Sequence, residues 1–308
     1  GAFIATVGIV LCKIMGILYA IPFHSIIGEQ GGALYGYAYN IYTIFLSISQ
    51  AGIPLAMSKI ISEYYTLGYY DAKERAFKIA KRFLFIIGFI CFLILFIFAD
   101  QIGYMIMGNV EGGNTKEDVA FVIRVISTAI LIVPNLSVAR GYFQGHRFIA
   151  PTSISQILEQ LTRVLIIVIG SFLMYRVFHM SLKATVGCAV FAATIGGVVS
   201  YAYLLWKEKQ NKKEFLRQDI KVKEPKITSK EIMKKILFYA VPFVMIDLFR
   251  SLYNSVDVLT LVKTLVNDIG YTAKDAESVM SVISTWGLKI NMILISVVSG
   301  IMTSLIPN

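Results

Sequence analysis

The stretch RGYFQGHRFIAPTSISQILEQLTRV, residues 140–164, begins as a polar turn and continues into an apolar segment. Within that segment Glu159 and Arg163 lie one helical turn apart among neighbours of the kind that face lipid. A charged side chain at the bilayer centre costs about 2.5–3.5 kcal/mol even on the mild insertion scale, so such residues face water, protein or each other. The i, i+4 spacing predicts that Glu159 and Arg163 pair.

The composition of the whole chain is that of a membrane protein. Of its 308 residues 56% are hydrophobic and 16% are charged, and the mean hydropathy is +0.69. A soluble domain carries about 25% charged residues and has no room to bury so much apolar sequence. The net charge of +10 is also typical of nucleic-acid-binding proteins, but here it is concentrated in a few connections. We therefore predict an all-α integral membrane protein with no nucleic acid partner.

Eight apolar segments are long enough to cross a bilayer, which takes about 20 helical residues. They cover residues 3–23, 34–62, 77–99, 119–139, 149–175, 184–206, 232–262 and 281–306. Residues 207–231 form a polar, basic linker that separates an N-terminal part, residues 1–206, from a C-terminal part, residues 232–308.

The C-terminal part echoes the beginning of the chain. ILYAIPF at 17–23 resembles LFYAVPF at 237–243, and AGIPLAMSK at 51–59 resembles SGIMTSLIPN at 299–308. Repeated halves are typical of transporters, whose site lies between them. We expect a multi-helix transporter with two pseudo-symmetric six-helix lobes, the first complete and the second truncated after two helices.

Cations in the connections predict the orientation. Lys and Arg are concentrated after segments 2, 4 and 6, above all between Lys207 and Lys235. Because cytoplasmic loops carry the excess of these residues, we expect a multi-pass protein of the cytoplasmic membrane with its N-terminal side in the cytoplasm. The same charges attract anionic headgroups, so membrane lipids are expected partners.

Polar residues share single helix faces in several segments. In segment 5, Thr152, Gln156, Glu159 and Arg163 recur at helical spacing, and Glu159 lies about 15 Å into a helix that begins near Ile149. The predicted lining of a hydrated central cavity is Lys13, Arg163, Arg250, Lys289, Glu159, Asp247, Asp257, Asn254 and Gln156. Its slight cationic excess suits an anionic group such as a pyrophosphate. The alternative is structural, because Ser, Thr and buried ion pairs can also serve helix packing.

Three residues predict movable breaks, or hinges, in the helices. Gly52 and Pro54 interrupt segment 2 and Pro134 interrupts segment 4, since proline removes a backbone hydrogen bond and bends a helix. The sequence has no phosphate-binding loop for ATP, no metal-ligand cluster and no catalytic set of Ser, His and Asp. We expect no enzyme, no cofactor, no metal and no use of ATP, and any transport to be downhill or driven by an ion gradient or the membrane potential.

The opening stretch resembles the motif that joins helices 4 and 5 in the polysaccharide-biosynthesis branch of the MOP (multidrug/oligosaccharidyl-lipid/polysaccharide) flippase superfamily, and in particular in stage V sporulation protein B and MurJ-type lipid II flippases. KIMG at 13–16, YGYAYNIY at 35–42 and GIPLAMSK at 52–59 are similar to its first two helices. The resemblance covers essentially all 308 residues.

That resemblance implies a flippase that moves an undecaprenyl-pyrophosphate-linked cell-wall or polysaccharide precursor to the outer leaflet by alternating access. In such a cavity Glu159, Asp247 and Asp257 would orient the cationic residues or carry a coupling cation as a further partner. It places Lys13 and Lys289 at basic cavity positions and assigns Lys13 to the pyrophosphate. Tyr19 departs from a second basic position of some relatives. Two alternatives stay open: a drug or cation antiporter of the same superfamily, and a non-transporting membrane scaffold for cell-wall or sporulation machinery.

Overall fold

The structure of the protein is a computed structural model that describes residues 14–16, 18–50, 52–108, 110, 112–215 and 224–287. All regular structure in these ranges is helical, as predicted. In chain order the α-helices are α1 (Ala20–Gln50), α2 (Ile53–Thr66), α3 (Tyr70–Ile97), α4 (Ala99–Met107), α5 (Lys116–Ser127), α6 (Val133–Gly145), α7 (Ile149–Leu165), α8 (Leu182–Gln210), α9 (Lys212–Phe215), α10 (Ser229–Asn267) and α11 (Ala273–Met280). A 3-10 turn at Thr128–Leu131 joins α5 to α6, and π-helical turns follow α7 and α11.

Five stretches of the described chain are long and apolar enough to cross a membrane. They are Ile14–Thr66, Tyr70–Ile97, Lys116–Gly145, Ile149–Val177 and Leu182–Gln210. These stretches confirm a multi-pass membrane protein and match predicted segments 2 to 6, with the described end of segment 1 joined to the first stretch. Predicted segment 7 corresponds to the 39-residue α10, and residues of segment 8 from 288 onward lie outside the described residues.

The first of these stretches folds back on itself at Gly28. This residue has φ 62° and ψ −167°, a conformation that suits glycine because it has no Cβ. Phe23 and Tyr35, on either side of it, have ring centroids only 5.3 Å apart. Twelve residues of straight helix would separate them by about 18 Å. The reversal marks the boundary that the sequence predicts between segments 1 and 2.

The helices run between two ends of a bundle. At one, the Gly28 end, lie the turn at Gly28 and the connections 112–115, 178–181 and 268–272. At the other, the Phe215 end, lie residues 67–69, 146–148 and 211–215. One cluster of buried apolar side chains packs α1, α5 and α8 together toward the Gly28 end. A second cluster packs α2, α3, α6 and the start of α10 toward the Phe215 end.

Part of the predicted basic linker is docked on the bundle instead of being freely solvated. Phe215 is 2% exposed. The fully buried Lys73 of α3 donates a hydrogen bond from Nζ to the carbonyl oxygen of Phe215. The rings around Phe215 are those of Tyr142, Phe143, His146 and Phe148. This contact fixes the beginning of the linker against α3 and α6.

The end of the linker is attached to the first turn of α3. The carboxylate of Glu224 accepts hydrogen bonds from the backbone N of Asp71 at 3.0 Å and of Ala72 at 2.7 Å. Arg75 donates from Nη1 to the carbonyl oxygen of Ile227 at 2.8 Å. An anion at a helix N-terminus is favoured because the free N–H groups and the helix dipole point toward it.

Candidate functional site

Glu159 of α7 is the centre of a charged cluster inside the bundle. Arg163 donates from Nη2 to Oε1 of Glu159 at 2.7 Å, which confirms the predicted pairing of these two residues. Arg140 of α6 donates from Nη2 to Oε2 of the same carboxylate, also at 2.7 Å. The three side chains are only 14–19% exposed, so both ion pairs are largely shielded from solvent.

Arg140 also joins three helices. Its Nε donates to Oγ of Ser155 at 3.1 Å, and its Nη2 donates to Oγ of Ser200 on α8 at 3.0 Å. Ser200 in turn donates to the carbonyl oxygen of Ser155 at 2.9 Å. Helix α8 can approach this closely because Gly196 has no side chain: a Cβ there would lie 2.8 Å from the carbonyl oxygen of Glu159.

The cluster carries a net charge of +1, because two guanidinium groups share one carboxylate. Nε of Arg163 is buried and has no hydrogen-bond partner among the described residues. On the α1 side, Tyr35, Tyr39 and Tyr42 lie within electrostatic range of Arg163. The surplus charge therefore lies next to a tyrosine-rich face, which the YGYAYNIY stretch contributes.

Arg140 was not among the predicted cavity residues, although it lies in the opening stretch. Arg140 precedes Arg147 by only seven residues, and Arg147 lies in the turn between α6 and α7. The sequence alone therefore places Arg140 near the membrane boundary. The sequence signal that could have placed Arg140 in the cluster is the short turn, which predicts that α6 and α7 form a helical hairpin. Residues equally distant from a tight turn face each other, so Arg140 lies beside Ser155, and its long side chain reaches Glu159 one turn deeper.

The other predicted residues of segment 5 lie on the same side of α7. Gln156 is half-buried, and Thr152 is 2% exposed with an Oγ1 that has no partner among the described residues. Segment 1 touches this helix, because a Cβ at Gly16 would lie 3.3 Å from Nε2 of Gln160. Lys13, which precedes that contact, lies outside the described residues, as does Lys289.

The structure does not bring the predicted charges of segment 7 to Glu159. Asp247, Arg250 and Asp257 are exposed on α10, and no ion pair joins them to the Glu159 cluster within the described part of the chain. Asn254 is half-buried, and its carbonyl oxygen accepts a long hydrogen bond, 3.4 Å, from Nδ2 of Asn40.

Helix α10 instead meets the polar face of α1 through two serines. Oγ of Ser251 lies 3.0 Å from Oγ of Ser47. Ser255 donates to Oδ1 of Asn40 at 2.7 Å. Helix α10 therefore packs on α1 through Ser251, Ser255 and the backbone of Asn254, and not through the charged side chains that the sequence singles out.

The three predicted hinge residues all lie at helix breaks. Gly52 has φ 69° at the residue before α2, and Pro54 is in the first turn of that helix. Pro134 is in the first turn of α6, directly after the 3-10 turn. Whether these breaks move stays a prediction. Within the described residues, no group of three His, Cys, Asp or Glu side chains could hold a metal ion.

The family of the chain is identified by a match that covers nearly the whole sequence. The profile of the family described as "Polysaccharide biosynthesis protein" matches residues 1–307. The chain belongs to this family. Within the MOP superfamily it is a member of the polysaccharide-biosynthesis branch, as the opening stretch predicts.

Two curated relatives of the chain come from Bacillus subtilis (strain 168). The "Lipid II flippase MurJ" is 33% identical over 310 residues, which are 100% of this chain and 56% of MurJ. "Stage V sporulation protein B" is 26% identical over 194 residues, which are 62% of this chain and 35% of that protein. The chain thus spans about half the length of MurJ.

Solved structures agree on the fold. An inward-facing multidrug resistance MATE family transporter of the MOP superfamily superposes with a TM-score of 0.66 and 16% identity over 94% of this chain and 60% of that chain. A MOP superfamily transporter from Pyrococcus furiosus Vc1 (DSM3638) superposes with a TM-score of 0.63 and 17% identity, over 98% of this chain and 62% of that chain. The chain therefore has an all-α fold of the kind seen in these MOP superfamily transporters.

Proposed function

We propose that the protein is a flippase that moves an undecaprenyl-pyrophosphate-linked cell-wall or polysaccharide precursor, such as lipid II, across the cytoplasmic membrane by alternating access. The observation that carries this proposal is the net charge of +1 on the cluster of Arg140, Glu159 and Arg163. Guanidinium groups bind phosphate oxygens through paired hydrogen bonds, and they do so more strongly where water is excluded. The similarity to the lipid II flippase MurJ supports the same cargo.

Each predicted residue has a role in this proposal. Arg163, Lys13, Lys289 and Arg250 would receive the diphosphate, and Gln156 and Asn254 would hydrogen-bond the headgroup. Glu159 would orient its two arginines. The exposed carboxylates Asp247 and Asp257 would bind a coupling cation or orient the cations of the second lobe.

The architecture and orientation are part of the proposal. Two six-helix lobes would enclose the cavity, with residues 1–206 as the first lobe and residues 232–308 as the start of the second. The N-terminal side would face the cytoplasm, so that the Phe215 end is cytoplasmic and the Gly28 end is outside. The breaks at Gly52, Pro54 and Pro134 would let the cavity open alternately to each side.

The test is the accessibility of the lipid-linked precursor in the outer leaflet of cells depleted of the protein. Depletion should lower it, and restoring the intact protein should recover it; unchanged accessibility contradicts a flippase. A drug or cation antiporter would instead keep exporting when Lys13 and Lys289 are both changed to Glu. A non-transporting scaffold would protect cysteines placed at Gln156, Asp247 and Lys289 from water-soluble thiol reagents.

A further inference from the structure

Glu277 of α11 is a fully buried carboxyl group at the Gly28 end, away from the Glu159 cluster. Its Oε1 accepts a hydrogen bond from the backbone N of Asn114 at 2.8 Å. Nδ2 of Asn114 donates to the carbonyl oxygen of Gln30 at 2.9 Å. One carboxyl group thereby connects α11, in the second half of the chain, to two connections of the first half.

The surroundings of Glu277 favour its neutral form. The side chain is 0% exposed, and no Lys or Arg of the described residues forms an ion pair with it. Oε2 is buried without a hydrogen-bond partner in the same ranges, and a Cβ at Gly113 would lie only 2.7 Å from Cδ of Glu277. Burying a carboxylate without a cation is costly, so the group takes up a proton instead.

Two titratable groups face Glu277, namely Tyr37 from α1 and Asp118 from the first turn of α5. The other charged groups on the elements around it are exposed or bound elsewhere: His24, Glu29, Lys183, Lys263, Lys274 and Asp275. The pKa of Glu277 is raised to about 7: burial is the main cause, the charge of Asp118 adds to the rise, and the hydrogen bonds from Asn114 oppose it.

We propose that Glu277 is a proton-binding site that locks the Gly28 end of the bundle. With the proton bound, α11 stays seated on residues 112–115 and on the turn after Gly28. When the proton passes to bulk water, the carboxylate must reach water itself, and α11 separates from the first half. The inference rests on the proposed transport cycle, in which this end faces outside and opens to release cargo.

The experiment measures the distance between α11 and the first half as the pH changes. Spin labels replace the exposed residues Glu117 and Lys274 in the intact protein, whose three native cysteines are changed to alanine. Double electron–electron resonance in lipid nanodiscs covers a range from about pH 5.5 to about pH 8.5, on both sides of the value at which a buried carboxyl of this kind ionises. One short distance should dominate in acid, and a longer one should grow through about pH 7.

The Glu277→Gln variant keeps an acceptor for Asn114 but cannot ionise, so its short distance should persist at every pH. The exposed Asp268→Asn is the matched control and should behave like the unmodified sequence. A distance that is independent of pH in the unmodified sequence, or that changes equally in Glu277→Gln, overturns the inference.

If Glu277→Gln does not fold, Gly113→Ala tests the same contact. Its methyl group would press on the carboxyl carbon of Glu277, so the longer distance should dominate at every pH, and a persistent short distance contradicts the lock. The readout is a distance and not lipid transport. A protein that opens with pH but moves no lipid would therefore contradict the proposed function and leave this inference standing.

Discussion

The guanidinium group of Arg140 reaches across the interface between α6 and α7 and donates to the carboxylate of Glu159 at 2.7 Å. That contact changes the net charge of the Glu159–Arg163 pair that the sequence predicts. Glu159 and Arg163 alone would be a neutral ion pair that any helix bundle could bury. With Arg140 added, the group carries one surplus positive charge. A buried charge carries a large desolvation penalty unless an opposite charge, here that of a bound anion, compensates it.

Removal of Arg140 should destabilise the bundle. Arg140→Gln loses a charged hydrogen bond to Glu159 and the links to Ser155 and Ser200, which we expect to cost about 1.5–3 kcal/mol. The midpoint of thermal unfolding of the purified protein measures this loss. Arg147→Gln, in the adjacent exposed turn, is the matched control and should leave the midpoint unchanged; equal midpoints for both variants would refute the structural role of Arg140.

The docking of Phe215 should stabilise the cytoplasmic linker of the proposed orientation. Phe215→Ala empties an aromatic cage, and such a truncation costs about 3–5 kcal/mol in a packed core. Limited proteolysis within residues 207–231 should accelerate in this variant. The exposed Phe238→Ala is the control, and a linker that is cleaved equally fast in both variants contradicts docking.

Acid should lower the stability of the Phe215 end, because the partly buried His146 packs against Phe215 there. The pKa of His146 is lowered to about 4 from its ordinary 6.5, mainly by burial and also by the nearby charge of Lys73, while the hydrogen bond with the backbone of Tyr142 opposes the change. The folded state therefore binds fewer protons than the unfolded state between these values, so stability is fully present above about pH 6.5 and is lost as the pH falls toward 4. Thermal unfolding should show a smaller acid loss in His146→Gln, whereas His179→Gln, at an exposed position, should not differ from the parent.

A side chain at Gly52 should be tolerated poorly for two separable reasons. Gly52→Ala forces φ 69° on alanine, and its Cβ would lie 2.5 Å from Cβ of Phe243, so we expect a loss of about 1–3 kcal/mol. Gly270→Ala also has a positive φ but meets open space, and it isolates the backbone cost. A larger loss of thermal stability at Gly52 than at Gly270 supports the close packing of α10 on this break; equal losses would refute it.

The sequence could predict what depends on local spacing. The helices of segments 2 to 7, the reversal near residues 24–33 and the Glu159–Arg163 pair all follow from hydropathy and helical periodicity, and the described part of the chain confirms them. The breaks at Gly52 and Pro134 follow from backbone chemistry in the same way.

What the sequence could not predict depends on which faces meet. Arg140 and Glu159 are 19 residues apart and meet only because α6 and α7 form a hairpin. Phe215 looks like an ordinary residue of a charged linker until four rings from α6 and the following turn surround it. In segment 7 the charges are the strongest polar signal, yet the contact with α1 uses Ser251 and Ser255, because small hydroxyl side chains allow helices to approach closely.

The most direct test of the central claim is lipid transport by the intact protein in liposomes. A fluorescent, pyrophosphate-linked precursor is placed in one leaflet, and a membrane-impermeant quencher measures its appearance in the other. The unmodified protein and the control Arg147→Gln should both move the lipid. Arg163→Gln should lose at least about tenfold in rate, equivalent to about 1.4 kcal/mol, and Arg163→Lys should lose less because it keeps the charge. Equal rates in Arg163→Gln and the unmodified protein would contradict a role of Arg163 in binding the cargo, and no transport by either would contradict a flippase.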